Sequence, residues 1–374
     1  MSADHATLLR DSVSDFIARG ASVARARSLR GAQHEYELTL WRQMADLGWL
    51  GIAIPDRYGG MGLGLAETAI VAEGLARSLA PEPYTACAVL AAGALIASEN
   101  ETLKRELLPQ MVSGERVLAL AWQEEAGVLD ASGVALHATS FEGGYRLNGT
   151  KRYVSGAAGA DTYLVAARSE SGLMLACVDR DSAGLCADFQ LLADGRHFTT
   201  LTLQDVSAPS ERIAASGDTA RAGLERALDH ATAIASAELY GVMSRALEMS
   251  VEYMKTRVQF GKPIGSFQAL QHRAVDLYIQ QQLASATLED GLRELDRDPA
   301  PATRSAIASR IKARCSDAGV RIAREAIQIH GAIGFTDEYD AGLYLKRALV
   351  LAAWLGNASY HRRRFAALTL KREG

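Results

Sequence analysis

The 374-residue sequence is poor in cysteine, in charge of one sign and in long apolar runs, and each shortage removes a class of function. Its four cysteines, Cys87, Cys177, Cys186 and Cys315, show no CxxC pairing and no histidine at zinc-ligand spacing. That pattern argues against a metal site and a disulfide framework, and reads as reduced thiols in a cytoplasmic protein. Lysine and arginine total 40 against 44 acidic residues, a formal charge of −4. Such a balance creates no field that would draw nucleic acid or an anionic membrane, so small-molecule chemistry or protein association fits better. The opening MSADHATLLRDSVSDF has acids among its first residues and no apolar h-region. No stretch reaches the roughly 18 uncharged residues of a membrane span, so neither secretion nor membrane insertion is expected.

What is present is length. A chain of 374 residues exceeds the size at which one hydrophobic core keeps growing, so two or three packed sub-domains are expected. From about residue 5 to 115 apolar residues recur at helical spacing, through Leu8, Val13, Phe16 and Ile17 and again through Ile70, Leu75 and Leu79. Between these helices, GWLGIAIPDRYGGMGLG (residues 48–64) forms a loop, because Pro55 and the Gly59-Gly60 pair stop regular structure. Its glycines lack both the GxGxxG spacing and a surrounding βαβ unit, which disfavours a phosphate-binding reading.

From about 116 to 215 short runs such as TYLVAA (residues 162–167) and FTTLTL (residues 198–203) alternate with the turn dipeptides Gly143-Gly144, Asn148-Gly149 and Asp194-Gly195. Closely spaced strands with polar turns predict an antiparallel barrel or sandwich. From about 217 helix returns: Asp218 is the expected N-cap of a helix running to about Arg257, close to 60 Å at about 1.5 Å per residue. Further helices are expected at about 266–296, 301–330 and 337–370, punctuated by Pro299, Pro301, Gly331 and Gly334. The domains are therefore drawn at 1–115 (helical), 116–216 (β) and 217–374 (four-helix bundle), an α+β chain.

Four segments stand in an informative order: GWLGIAIPDRYGGMG, LNGTKRYVSGAAGADTYLVAAR (residues 147–168), RVQFGKPIGSFQALQHRAVD (residues 257–276) and QIHGAIGFTDEY (residues 328–339). Neither composition nor amphipathicity requires RxQFG to be followed about seventy residues later by QxHGxxG. With the helical, β, helical order, these segments resemble the acyl-CoA dehydrogenase family over nearly the whole chain. The resemblance implies FAD, with residues of the last two signatures reaching the ADP half bound mainly in a neighbouring protomer: Arg257, Phe260, Phe267, Gln268, Gln328 and Gly331. Physics agrees, since a pyrophosphate needs a fixed cation, best an arginine fork, and close backbone approach at a glycine. The family's second glycine is Ala332 here.

The half that serves the protomer's own flavin and substrate is eroded. WQEEAGVLD (residues 122–130) keeps Ala126-Gly127 of the family's TEPxAGSD but has lost its threonine and serine. Tyr153-Val154-Ser155 replaces Trp-Ile-Thr, leaving the Ser155 hydroxyl to meet flavin N5. Trp354-Leu355-Gly356 replaces the Tyr-Glu-Gly that carries the base, and Lys346-Arg347 the usual Arg-Asp. Leu355 cannot accept a proton, and the alternative station on the first bundle helix, ten residues before Gly241, is Ala231. Loss of a positioned base puts about 10²- to 10⁴-fold of rate at stake.

Glu238 is the fallback base, a single charge in an apolar stretch of the long helix, although a buried glutamate held by neighbouring backbone or an arginine is the better reading. Asp229 is turned about 200° from the vacant station, Glu124 and Glu125 read as a solvated loop, and His230, His272, His330 and His361 as surface or packing residues. The resemblance thus implies a subunit of an enzyme that desaturates an acyl-CoA, close to the small, pimeloyl-CoA dehydrogenase-like branch of heteromeric enzymes acting on bulky substrates such as steroid side chains or dicarboxylic acyl groups. A paralogous subunit is its expected partner and an electron-transferring flavoprotein its electron acceptor. A self-sufficient homo-oligomer using Glu238 or other flavin chemistry, and a non-catalytic scaffold, are the alternatives.

Overall fold

The computed structural model describes residues 3–32 and 36–370. Helices α1 (Ala3–Arg19), α2 (Val23–Ser28), α3 (Leu38–Asp46), α4 (Leu65–Arg77), α5 (Ala92–Ile96) and α6 (Glu101–Val112) come first. Strands β1 (Leu118–Ala121), β2 (His137–Phe141), β3 (Gly144–Ser155) and β4 (Thr162–Ser169) follow, then β5 (Gly172–Asp179), β6 (Leu185–Leu191), β7 (His197–Pro209) and β8 (Ile213–Ser216). Helix α7 (Gly217–Thr256), the short strands β9 (Val258–Gln259) and β10 (Lys262–Pro263), and helices α8 (Gln268–Leu295), α9 (Pro301–His330), α10 (Ala341–Ala353) and α11 (Ala358–Thr369) complete the chain. The order is that of a helical N-terminal domain, a central β-sheet domain and a C-terminal helical domain. By compactness the chain divides into two units, Leu29–Gly64 with Pro81–Ala231, and Met1–Ser28 with Leu65–Ala80 and Thr232–Gly374.

In the first unit β1–β8 form one sheet in the order β6-β7-β3-β2-β4-β5-β8, with β1 alongside β4. Strand β4 has two parallel neighbours, β1 and β2, so the sheet is not purely antiparallel. Parallel pairing needs a long crossover, and the hairpin β2–β3 supplies one between β1 and β4. All of β1 and the first six residues of β4 are buried, which is why both read as continuous apolar runs. The expected turn at Asn148-Gly149 instead lies inside β3, opposite a bulge in β7: between the pairs Leu147–Val206 and Gly149–Leu203, Asn148 alone faces Gln204 and Asp205, and it hydrogen-bonds the backbone and side chain of Asp205, which takes φ 52. A strand can absorb an extra residue when a polar side chain on its partner strand, here Asn148, supplies the bonds.

In the second unit α9 packs against α8, α10 and α11. Its start and end are punctuated by chemistry: Pro301, whose missing N–H costs nothing at the first helical position, and Gly331, with φ 64 and ψ −137. Helices α4 and α7 touch backbone to backbone at Gly241, where an added Cβ would lie 2.3 Å from the Glu73 carbonyl oxygen. Asp296, at the end of α8, accepts from the Leu65 and Ala66 amides and so caps α4. Three expectations change here. Asp218 lies within the first turn of α7 rather than before it, Leu8 is exposed while Val13 and Phe16 are buried, and the single helix expected over 337–370 is two, broken between Ala353 and Ala358.

Candidate functional site

Helix α7 ends three residues after Tyr253, and the chain reverses through β9 and β10. The register Gln259 to Lys262 leaves Phe260-Gly261 as a two-residue loop with φ 53 and 78, a pair of positive values typical of a type I′ turn. Glycine takes that conformation freely; phenylalanine is strained there by about 1–2 kcal/mol. The Phe260 side chain is 91 % exposed, edge-on to Phe267 at 6.1 Å, and Lys262 Nζ lies 4.4 Å above the Phe267 ring. Within its own chain the ring of this strained turn meets Phe267 edge-on and is otherwise held out in water.

Arg257 and Gln268, on either side of this hairpin, are exposed, as are Gln328 and Ala332 at the end of α9. Among the described residues no hydrogen bond or ion pair engages the Arg257 guanidinium or the Gln268 and Gln328 amides. A Cβ at Gly331 would meet nothing within 4 Å, so the space before this backbone is open to an outside group. The two helix ends are tied together from behind. The Tyr253 ring lies 4.5 Å from His330, and His330 Nε2 is 3.0 Å from the Tyr339 hydroxyl. Burial holds His330 below its ordinary range. Cation, aromatic ring, amides and open glycine backbone thus occur on one hairpin and one neighbouring helix end, an arrangement able to bind a phosphorylated, ring-bearing ligand.

The β unit carries Tyr153 and Ser155. Pairing of β3 with β7 slips again between Lys151 and Val154, so Arg152 and Tyr153 together oppose Thr200, and Tyr153 takes φ 58 in this second bulge. Its ring meets Phe198 edge-on at 6.1 Å, and Ser155 is the half-buried last residue of the strand. Glu124 is no solvated residue: its carboxylate is 2.5 Å from Nζ of the fully buried Lys151 and accepts from the Ala135 and Leu136 amides. Lys151 Nζ also donates to the Trp122 carbonyl, and the Arg152 amide to that of Gln123. Three consecutive residues after β1 are therefore stitched to β3 beside the Tyr153 bulge. Burial pushes Lys151 down to about 8 against the opposing pull of Glu124. Burial would raise Glu124, but Lys151 and the two amides outweigh it and hold the carboxyl below its usual range.

The break after α10 falls on Trp354-Leu355-Gly356. Leu355 is buried with φ 58, and Asn357 caps α11 by accepting from the Tyr360 amide at 2.9 Å. Gly356-Asn357 was the available sequence signal for this stop and restart, overridden by the continuing apolar period. Ala231 and Asp229 are fully buried in α7. Glu238, also buried, accepts from Arg347 Nη2 at 2.5 Å. Sequence reasoning missed Lys151 and Lys312, since a lysine in a strand or a helix ordinarily reads as solvated, and nothing local marks one that reaches an interior carbonyl.

Two family models match the chain: "Acyl-CoA dehydrogenase, N-terminal domain" over residues 3–115 and "Acyl-CoA dehydrogenase, C-terminal domain" over residues 221–369. The chain is 31 % identical over 348 residues to the acyl-CoA dehydrogenase FadE27 of Mycobacterium tuberculosis, covering 90 % of each. Among solved structures, a variant of the Tcur3481-Tcur3483 steroid ACAD is similar at a TM-score of 0.87 and 31 % identity, over 98 % of this chain and 97 % of that one. The ChsE4-ChsE5 complex of Mycobacterium tuberculosis is similar at a TM-score of 0.89 and 28 % identity, over 99 % of both chains.

Proposed function

The chain belongs to the acyl-CoA dehydrogenase family, and from that membership we propose that it is the subunit without a base in a heteromeric FAD-dependent enzyme that desaturates an acyl-CoA thioester between its α and β carbons. The observation that carries this reading is an asymmetry. Arg257, Gln268 and Gln328, suited to the ADP half of FAD, are exposed and their side chains are unengaged by their own chain, whereas the two stations that the family resemblance assigns to the base fall on Leu355 and Ala231 and the Glu238 carboxylate is held by Arg347.

The residues present fit the dinucleotide. Arg257 would pair with the pyrophosphate, Gly331 would let it approach the backbone, and Phe260 and Phe267 would cover apolar surface while Gln268 and Gln328 offer amides. In the β unit the stitched segment after β1 and the Tyr153 bulge would form a rigid wall, with the Ser155 hydroxyl as a hydrogen-bonding group beside the flavin. When bound, FAD supplies the hydride acceptor that no side chain can provide. Leu355 would line an apolar surface and move no proton, so the carboxylate that takes the α-proton comes from the partner subunit, a paralogue with the base in place.

Association with a second chain is supported by α8, whose Val275, Tyr278, Ile279 and Leu283 form an exposed apolar row at helical spacing. The structural similarity to two complexes named for paired components favours a paralogue over an identical copy, and the name of one of them makes a steroid acyl-CoA the substrate to try first. The electron acceptor in this reading is an electron-transferring flavoprotein. Expression alone and with candidate paralogues tests it: little flavin in the lone chain, and yellow colour with acyl-CoA-dependent dye reduction in the pair, is the expected result. Stoichiometric FAD and turnover by the lone chain would defeat the proposal.

A further inference from the structure

Helix α10 stops at Ala353 although its apolar period continues, and two buried side chains from other helices meet the carbonyls at the break. The last helical hydrogen bond runs from the Trp354 amide to Val350 O at 2.9 Å, and the Gly356 amide then turns back to Ala353 O at 3.2 Å. The next carbonyl in the series, that of Leu351, accepts from Nζ of Lys312, a fully buried lysine of α9. The carbonyl of Leu355 lies 2.8 Å from Nε2 of His361, a buried residue of α11 whose Nδ1 is 3.2 Å from the Ser309 hydroxyl. A carbonyl can only accept, so Nε2 of His361 carries the proton there and Ser309 donates to Nδ1.

Between these two donors Leu355 is buried at φ 58, a conformation that a glycine would take without strain. Taking two backbone carbonyls out of water requires two donors, and an α-helix that ran on would have used its own amides. A buried lysine and a buried imidazole are costly ways to supply them, so the broken helix and its strained leucine are maintained at the expense of easier alternatives.

We infer that Lys312 and His361 are positioning residues for the turn between α10 and α11: by taking the Leu351 and Leu355 carbonyls they hold residue 355 in its left-handed conformation and fix the direction in which its side chain is presented. On the function proposed above, residue 355 occupies the station of the family's base, so the same pair would set one apolar wall of the acyl site. The conformation of the turn itself does not depend on that reading.

A double-mutant cycle tests the inference on the whole chain. Lys312→Met, His361→Ala and His361→Gln are made alone and with Leu355→Gly, and Tm is read together with the emission of Trp354, taken as the difference from matched Trp354→Phe proteins. Lys312→Met and His361→Ala should each lower Tm by several degrees and shift the Trp354 emission to the red. In the Leu355→Gly background both losses should shrink by roughly half or more, since the strained residue is gone and coupled positions are not additive. His361→Gln, which can still donate, should keep the emission of the parent protein. Should Lys312→Met fail to fold, the His361 series completes the cycle. Equal losses in both backgrounds, or a red shift with His361→Gln as large as with His361→Ala, would overturn the inference and leave the two residues as core filling. Because neither readout needs flavin or substrate, its failure and that of the proposed function are separable.

Discussion

The Glu238 carboxylate lies 2.5 Å from Nη2 of Arg347, and both residues are buried. Arg347 stands where the family resemblance expects an aspartate, and the counter-charge comes from α7, 109 positions earlier in the chain. A carboxylate held in this way satisfies a buried guanidinium and is poorly placed to collect protons from a substrate. Removing one member of such a pair strands the other charge in the interior, which costs about 3–5 kcal/mol.

Glu238→Gln should therefore lower stability by about that amount, as read in urea unfolding. Adding Arg347→Met should recover part of the loss, because it removes the guanidinium that Glu238→Gln strands in the interior. In the heteromer proposed above, Glu238→Gln should leave substrate-dependent flavin bleaching unchanged. Bleaching abolished in a folded, flavin-loaded variant would restore Glu238 as the base and the self-sufficient enzyme with it.

Arg257→Ala should weaken FAD binding about 10- to 100-fold in the assembled protein, the usual worth of a hydrogen bond to a charged group, with no change in Tm, because the side chain is exposed. Arg257→Lys should recover part of the affinity but not all, since an ammonium lacks the planar fork. Fluorescence titration of released flavin measures both. Undiminished affinity in Arg257→Ala would remove the arginine from the cofactor site.

Charges placed on the exposed row of α8 should separate subunits without unfolding them. Tyr278, 55 % exposed, and Ile279 beside it can be changed to Glu and Arg at little cost to the isolated chain. Tyr278→Glu with Ile279→Arg should abolish co-purification with the paralogous partner while Tm stays within about 2 °C, the shift expected for roughly half a kcal/mol or so. A complex that survives both substitutions would place the interface elsewhere.

The two buried lysines predict a stability that climbs at alkaline pH. Burial pushes Lys151 to about 8 and Lys312 to about 7, against an ordinary 10.5. Between each lowered value and 10.5 the unfolded chain binds more protons than the folded one, so stability rises with pH through that window and is lowest below it, where each lysine must be charged while buried. The slope should approach about 1.4 kcal/mol per pH unit for each group, and Lys151→Met should flatten the curve above pH 8 relative to the parent protein. Urea midpoints from pH 7 to 10 measure it, and superimposable curves would contradict the burial argument.

The pieces of the fold that were legible in advance are those whose signals are local. Pro301 and Gly331 bound α9 to within a residue of expectation, because one lacks an N–H and the other a Cβ, properties each carries wherever it stands. The long helix α7 and the strands at TYLVAA and FTTLTL follow in the same way from period and turn chemistry. Where two signals competed, the weaker one was misread: Asn148-Gly149 has the composition of a turn yet lies inside β3, because β7 offers Asp205 as its partner.

Everything that depends on a distant residue had to wait for the packed chain. Lys151 meets Glu124 across 27 positions, Lys312 meets Leu351 across 39, and Glu238 meets Arg347 across 109. A lysine side chain has the same composition whether it ends in water or on a buried carbonyl, and only the elements packed around it decide its charge, its partner and the strain it holds in place. The amino-acid order thus specified which helices and strands form and where several of them start and stop, since those rest on periodicity and on the intrinsic geometry of Gly and Pro. The breaking of α10, the presentation of Leu355 and the engagement of Glu238 arose from burial, which converts unremarkable polar side chains into obligatory hydrogen-bond partners.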